Sequence, residues 1–181
     1  MRRTAAFLFS GTPASEPGVK RIFVSLADQR LQLREDDQVL SEHAVSTARN
    51  GAGERNGSYC TPRGEHVVRA RIGEGQPLNA VFVRRRPTGE IYDAALAERF
   101  PGRDWILTRI LWLCGREPGF NRFGDVDTMR RYIYIHGTPD SVALGQPGSI
   151  GCIRMRNAEL VQLFGAVPAG TPVTILEGPL P

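Results

Sequence analysis

The segment from Arg131 to Asn157 constrains this chain more than any other, because it holds two extended runs and the loop that must join them. Its first run, Tyr132-Ile133-Tyr134-Ile135-His136-Gly137, alternates. Side chains along a strand point to opposite faces with a period of two. Tyr132, Tyr134 and His136 therefore share one face, while Ile133 and Ile135 take the other and enter the core. The second run, Gly151 to Met155, puts Cys152 and Arg154 on one face and Ile153 and Met155 on the opposite one. A loop rich in Gly, Pro and Ser lies between them and returns the chain beside its starting strand. An imidazole, a thiol and a guanidinium are thereby expected to face one cleft.

The rest of the chain reads as strands joined by turns. Its 20 Gly and 13 Pro fall as short, regular punctuation, the pattern of a mainly β protein. Lys20 to Arg34 predicts a strand pair bent at Asp28-Gln29, followed by a turn at Glu35-Asp36-Asp37 and a return over Val39 to Thr47. Arg49 to Gly64 is a long loop, His66 to Ile72 a strand, and Val81-Phe82-Val83 a short one. Asp93 is an N-cap for a helix that Pro101 stops near Phe100. For Trp105 to Leu113, strand and buried helix both fit. Gly115 to Asp127 is a loop whose Phe120 and Phe123 are available to cap the cleft. Asn157 is expected to cap a second helix over Ala158 to Val167, with Leu160, Leu163, Phe164 and Val167 as its apolar stripe. Thr171 to Leu176 closes the chain as a strand. There is no internal repeat.

Composition narrows the function classes. With 41% hydrophobic and 23% charged residues the chain can bury a real core, and it reads as a lead over 1–19 followed by one domain over 20–181. The net charge of +4 suits an anionic polymer or peptide, but no basic stripe points to nucleic acid. No window approaches a membrane span. The apolar run from Ala5 to Phe9 is too short for a secretory signal, so the expectation is a cytoplasmic protein, or a periplasmic one if a leader has been trimmed away. Cys60, Cys114 and Cys152 are odd in number and scattered, which argues against a disulfide framework. No CxxC or HxxxH spacing suggests a metal site, and no cofactor is expected. Cys60 and Cys114 read as small buried hydrophobes, and His43 and His66 as surface or packing residues.

Four short motifs carry a resemblance. His136-Gly137-Thr138 followed by Ser149-Ile150-Gly151-Cys152-Ile153-Arg154-Met155 resembles the signature of the L,D-transpeptidase catalytic domain, the YkuD-like family. Asp28-Gln29-Arg30-Leu31, Val45-Ser46-Thr47 and Thr61-Pro62-Arg63-Gly64 resemble the N-terminal half of that family in the same order, so the likeness runs from Ile22 to Leu176.

The resemblance implies an L,D-transpeptidase-like β-sandwich with one or two short helices and a catalytic cleft. It implies a cysteine enzyme acting on peptidoglycan stem tetrapeptides, at the bond between the diamino acid (usually meso-diaminopimelate) and the terminal D-Ala. D-Ala leaves and a thioester remains. An amine acceptor then gives a cross-link or an exchanged D-amino acid, and water gives carboxypeptidase activity. Carried over, Cys152 is the nucleophile, His136 its base, and Gly137 the position whose carbonyl orients the imidazole. The N–H groups of Gly151 and Cys152 are the oxyanion donors, and Arg154, Ser149 and Tyr134 are the candidate substrate-binding residues. Chemistry asks for the same types: a thiol needs an imidazole or a cation within reach to act as a nucleophile, and a guanidinium offers a fork to a carboxylate. Arg154 could equally pin the catalytic loop, Ser149 could simply favour its turn, and the tyrosines could line the cleft or cover the sheet.

Two departures matter. Many members of the family carry a second histidine before the Gly-Cys pair, and here that position is Ile150, which leaves acid–base work to His136. The family is mostly exported, and the reading here is of a cytoplasmic protein. The combined expectation is an L,D-carboxypeptidase that trims D-Ala from soluble murein peptides, in recycling or precursor trimming. A cross-linking or D-amino-acid-exchanging transpeptidase, a non-catalytic wall-peptide binding module and a thiol-based redox or metal protein are the alternatives.

Overall fold

Lys20–Ser25 (β1) and Arg30–Glu35 (β2) pair antiparallel across the bend at Asp28-Gln29, and Gln38–Ala44 (β3) returns along β2. The computed structural model describes residues 18–181, so most of the expected lead over 1–19 lies outside the described residues. The register sets Ile22 opposite Leu33 and Val24 opposite Leu31, which sends all four side chains into the main core. A slip of one residue would turn them to solvent, so burial specifies this register.

The remaining strands are Gly64–Ile72 (β4), Ala80–Val83 (β5), Arg86–Ile91 (β6), Ile106–Gly115 (β7), Tyr134–Gly137 (β8), Ile153–Met155 (β9) and Pro172–Leu176 (β10). They hydrogen-bond in the order β3-β2-β1-β10-β4-β7-β5-β6, with β8 added to β7 and β9 to β8. Pairing is antiparallel except for β1–β10 and β8–β9. The protein is mainly β, as its punctuation predicts. Trp105 to Leu113, which fits strand or helix by sequence, becomes the central strand β7. It is bordered by β4 and β5 along one edge and by β8 along the other, and Leu107, Ile110, Leu111 and Leu113 are fully buried.

Among the described residues two α-helices accompany the strands. Ala94–Arg99 (α1) starts as expected, with Asp93 Oδ1 accepting the Leu96 N–H at 2.7 Å, and buries Leu96 against Trp105 and Leu107. Asn157–Ala166 (α2) lays Leu160, Leu163 and Phe164 into the main core, together with Val167 just beyond it. Truncating Leu160 to alanine would cost about 2–5 kcal/mol. Asn157 is not the cap of α2. It is the first helical residue, and its buried side chain accepts from Thr108 Oγ1 at 2.7 Å and donates to Thr138 O at 2.9 Å and Asn79 Oδ1 at 3.0 Å. The tertiary partners outcompete the local cap.

The loop from Gly115 to Asp127 does not cap the cleft. Asn121, fully buried, donates to the carbonyls of Arg63 and Glu65 and ties the loop to the start of β4. Phe120 lies by Gly64 and Arg63, and Phe123 lines a different cavity. Among the described residues no helix is long and apolar enough to cross a membrane.

Candidate active site

Parallel strands need a connection of a dozen or more residues, and between β8 and β9 that connection is an irregular loop rather than a helix. The Val45-Ser46-Thr47 stretch anchors it. Gly145 N–H donates to Val45 O, Gly148 and Ser149 N–H groups donate to Thr47 O, and Ser46 exchanges both backbone bonds with Arg154. The loop is thereby pinned backbone to backbone, so β9 meets β8 with His136 opposite Arg154.

Cys152 immediately precedes β9 and sits beside Tyr134, whose backbone N–H donates to its sulfur at 3.4 Å. The thiol in turn lies 3.5 Å from Tyr132 O. Tyr134 and His136 share a face of β8 and are two residues apart, about 6.6 Å along a strand. Cys152 and His136 therefore occupy one face, one step apart. The His136 Nδ1 lies 2.8 Å from Gly137 O, so this nitrogen carries the proton and the carbonyl accepts it. That leaves Nε2 as the basic nitrogen, buried and without a hydrogen-bond partner among the described residues.

Gly137 is constrained to be glycine. An added Cβ would strike Asn157 Oδ1 and come within 2.7 Å of Leu107 O. At Gly151 the backbone φ is +135°, and an added Cβ would press on Ile133 at 3.1 Å. The turn that presents Cys152 depends on that conformation.

Burial sets the protonation of the pair. Packing around Cys152, with the Asp104 carboxylate adding to it, pushes the thiol up to about 12, against the Tyr134 N–H and the positive charges of Arg154 and Arg131. Burial lowers His136 from its ordinary value, opposed by Asp104 and by the Gly137 carbonyl. Both shifts favour neutral thiol and neutral imidazole over a thiolate–imidazolium pair.

The other expected residues divide. Tyr134 is on the cleft wall, its hydroxyl accepting from Arg85 at 3.3 Å. Ser149 is fully buried. It donates to Cys152 O at 2.5 Å and accepts the Gly151 N–H at 3.2 Å, so it is unavailable to substrate and instead braces the turn around the thiol. Of the two expected oxyanion donors, the Gly151 N–H is thus engaged, while the Cys152 N–H has no partner among the described residues. Arg154 ion-pairs with Asp104 at 2.5 Å and donates to Gly148 O at 3.2 Å, which occupies its fork with the protein's own groups. His66 is buried between Gly64 O and Thr128 Oγ1, the packing alternative of its two expected roles.

Around Cys152 and Tyr134 lies a cavity of about 710 Å³, and Ile150 is on its rim. Several of its residues have no sequence signature. Asp104 comes from the turn before β7. Arg84 and Arg85 form the two-residue turn of the β5–β6 hairpin, both at positive φ (48° and 66°), a mirror-type turn that ordinarily takes Asn or Gly. Arg85 lies over Trp112 and Tyr132, which compensates for the strained backbone. Arg131 donates to the carbonyls of Gly53, Glu54 and Cys60 and so holds the Arg49–Gly64 loop against the cleft. Only the Arg-Arg-Arg run at 84–86, an unusual hairpin turn, could have flagged this rim.

The family model of the L,D-transpeptidase catalytic domain, YkuD, matches residues 19–175. A candidate L,D-transpeptidase of Bacillus subtilis, YqjB, is 29% identical over 161 residues, 89% of this chain and 73% of the relative. A second from the same organism, YkuD, is 44% identical over 96 residues, covering 52% of this chain and 47% of its own length. Among solved structures, the L,D-transpeptidase of Xylanimonas cellulosilytica superposes with a TM-score of 0.51 at 20% identity, over 90% of this chain and 62% of that one. L,D-transpeptidase 3 of Mycobacterium tuberculosis gives 0.54 at 16% identity, over 88% and 61%. These two likenesses concern the fold, and this chain spans about three-fifths of each solved chain.

Proposed function

This chain belongs to the YkuD family of L,D-transpeptidase catalytic domains, and on that premise we propose that it is a cysteine acyl-transfer enzyme that releases D-Ala from peptidoglycan stem tetrapeptides. The observation that carries the reading is the pairing of β8 with β9. It brings Cys152, in the lining of the cleft, one step from an imidazole whose Nδ1–H is held by Gly137 O and whose Nε2 has no partner among the described residues.

A neutral pair dictates the order of events. As sulfur bonds to the carbonyl carbon of the scissile amide, the S–H proton passes to His136 Nε2, so no free thiolate accumulates. The Cys152 N–H is available for the developing oxyanion. The Tyr134 N–H, aimed at the sulfur in the free protein, becomes a second donor when sulfur shifts to its new bond. Donors of this kind are worth about 3–4 kcal/mol each. The C–N bond then breaks, the imidazolium gives its proton to the leaving amine of D-Ala, and a thioester remains on Cys152. Attack by water, with His136 again as base, releases the tripeptide and restores the thiol.

Water is the acceptor we favour over an amine. Arg84, Arg85 and Arg131 line the cavity, and its carboxylate Asp104 is already paired with Arg154. Three guanidiniums attract a carboxylate-bearing donor and disfavour a cationic ammonium at the acceptor position. The same thioester, given a strong enough amine, yields exchange.

Mass spectrometry of the protein mixed with a disaccharide tetrapeptide, with and without excess D-methionine, tests the reading. The expected product is tripeptide in both tubes, lost in Cys152→Ala. A D-methionine-containing tetrapeptide as the main product would overturn the preference for water. No product in either tube would reject the donor, and would favour a peptide-binding module that does not turn over.

A further inference from the structure

A second cavity, of about 600 Å³, opens at the end of β4 and β7, on the same face of β7 as Trp112 but beyond the Met129–Tyr132 wall of the cleft. Its floor is formed by Val67 and Cys114, opposite one another in the β4–β7 register. Four guanidiniums surround it: Arg69 from β4, and Arg116, Arg122 and Arg130 from the connection between β7 and β8.

None of these four makes an ion pair or a side-chain hydrogen bond among the described residues, although Arg122 lies over the Phe123 ring. The single carboxylate in the lining, Asp127, is turned inward. Its two oxygens accept the backbone N–H groups of Phe123 at 2.8 Å and Arg130 at 2.9 Å. Elsewhere the fold pairs arginines that sit near acids, as in Arg21–Glu65, Arg63–Glu54 and Arg154–Asp104. Here four arginines line one concave, partly apolar cavity, and none of their forks has a hydrogen-bond partner among the described residues. A concave basic site concentrates its field, and the planar fork of arginine matches phosphoryl and carboxylate oxygens in a bidentate manner. The volume falls in the range of small-molecule sites.

We propose that this cavity is an anion-binding site, distinct from the Cys152 cleft, for a ligand that carries two or more adjacent phosphoryl or carboxylate groups. A single monovalent anion would leave most of the forks empty, whereas a multivalent one engages several at once and relieves their mutual repulsion. The apolar lining at Val67, Phe123 and Met129 leaves room for an organic portion next to the charged one. The assignment stands independently of what Cys152 does.

Titration calorimetry of the full chain at low salt with inorganic pyrophosphate and, separately, citrate tests it. The expected result is saturable binding of at least one of the two, weakened at least about tenfold in Arg122→Gln/Arg130→Gln and by raised ionic strength. Binding of pyrophosphate alone marks a phosphoryl site, and binding of citrate alone a carboxylate site. Arg84→Gln/Arg85→Gln, on the other basic cavity, is expected to leave this binding unchanged. If neither anion binds up to about 10 mM, weaker than any useful affinity, the proposal fails. It fails equally if the cleft variant abolishes binding and the pocket variant does not. Should the double variant not fold, Arg69→Gln, which removes no described contact, gives the same readout.

Discussion

The backbone N–H of Tyr134 donates to the sulfur of Cys152 at 3.4 Å, so the thiol is held by the strand that carries His136. Strand pairing, rather than a hydrogen bond between the two side chains, sets the position of the imidazole relative to the thiol. Burial favours the protonated thiol over the thiolate, and the chemistry of Cys152 should show that.

Alkylation reports this directly. With the Cys152 thiol pushed up to about 12 from an ordinary value near 9, its thiolate fraction at neutral pH is about a thousandfold lower. Iodoacetamide should modify Cys152 slowly at pH 7, with a rate that climbs about tenfold per pH unit beyond pH 9. A rate already level at pH 7 would mean a thiolate–imidazolium pair and would contradict the neutral resting state.

The acid limb of activity should lie low. In the proposed reaction His136 accepts the thiol proton and must be neutral to do so; burial lowers its pKa, so kcat/KM for D-Ala release should hold as pH falls through 6.5 and decline only below it. An acid limb centred above 6.5 would remove His136 as the base.

Asp104 tunes that limb. Its negative charge works to raise His136, so Asp104→Asn should move the acid limb to still lower pH while freeing Arg154 from its ion pair. Arg154→Gln should do the opposite, because it leaves the carboxylate uncompensated beside the imidazole. Identical profiles for both variants and the parent would show that the pair only braces the loop.

Stability should fall with acid through His66. Its folded value, about 4, lies below the ordinary 6.5 because burial disfavours the imidazolium. The unfolded chain thus takes up a proton first, and stability present above pH 6.5 is lost as pH drops toward 4. Urea unfolding at pH 7 and pH 4.5 should differ by about 2–3 kcal/mol from this residue, with His136 acting in the same sense. In His66→Gln the pH-dependent part should shrink by that amount, and an unchanged pH dependence would reject the assignment.

Gly137→Ala should destabilise the protein by about 1–3 kcal/mol, because the added methyl meets Asn157 Oδ1 and Leu107 O in a filled site. D-Ala release should fall with it, since the carbonyl that holds His136 belongs to the same residue. A thermal midpoint equal to the parent's would show that the backbone there yields more than its packing indicates.

Much of this protein was legible from local pattern. Alternation over Tyr132 to Gly137 placed Ile133 and Ile135 in the core, and the i, i+3, i+4, i+7 stripe of α2 was buried as read. Asp93 capped α1 as its side chain predicts. Those signals work because strand period, helix period and capping are decided within a few residues by side chains and their nearest backbone. The four ordered motifs, likewise linear, identified the family.

Tertiary structure decided what depends on distant partners. Asn157 left its expected cap to bond Thr108 and Thr138, and Ser149 became a brace instead of a substrate contact. Phe120 and Phe123 went with Asn121 to the β4 end, and the cleft received Arg84, Arg85 and Asp104 from other turns. Which of these groups share a cavity follows from strand order and register across the whole sheet. The protonation of Cys152 and His136 follows from how much protein that sheet packs around them. Neither quantity is a property of any short stretch of chain, since each is a sum over neighbours that only folding brings together.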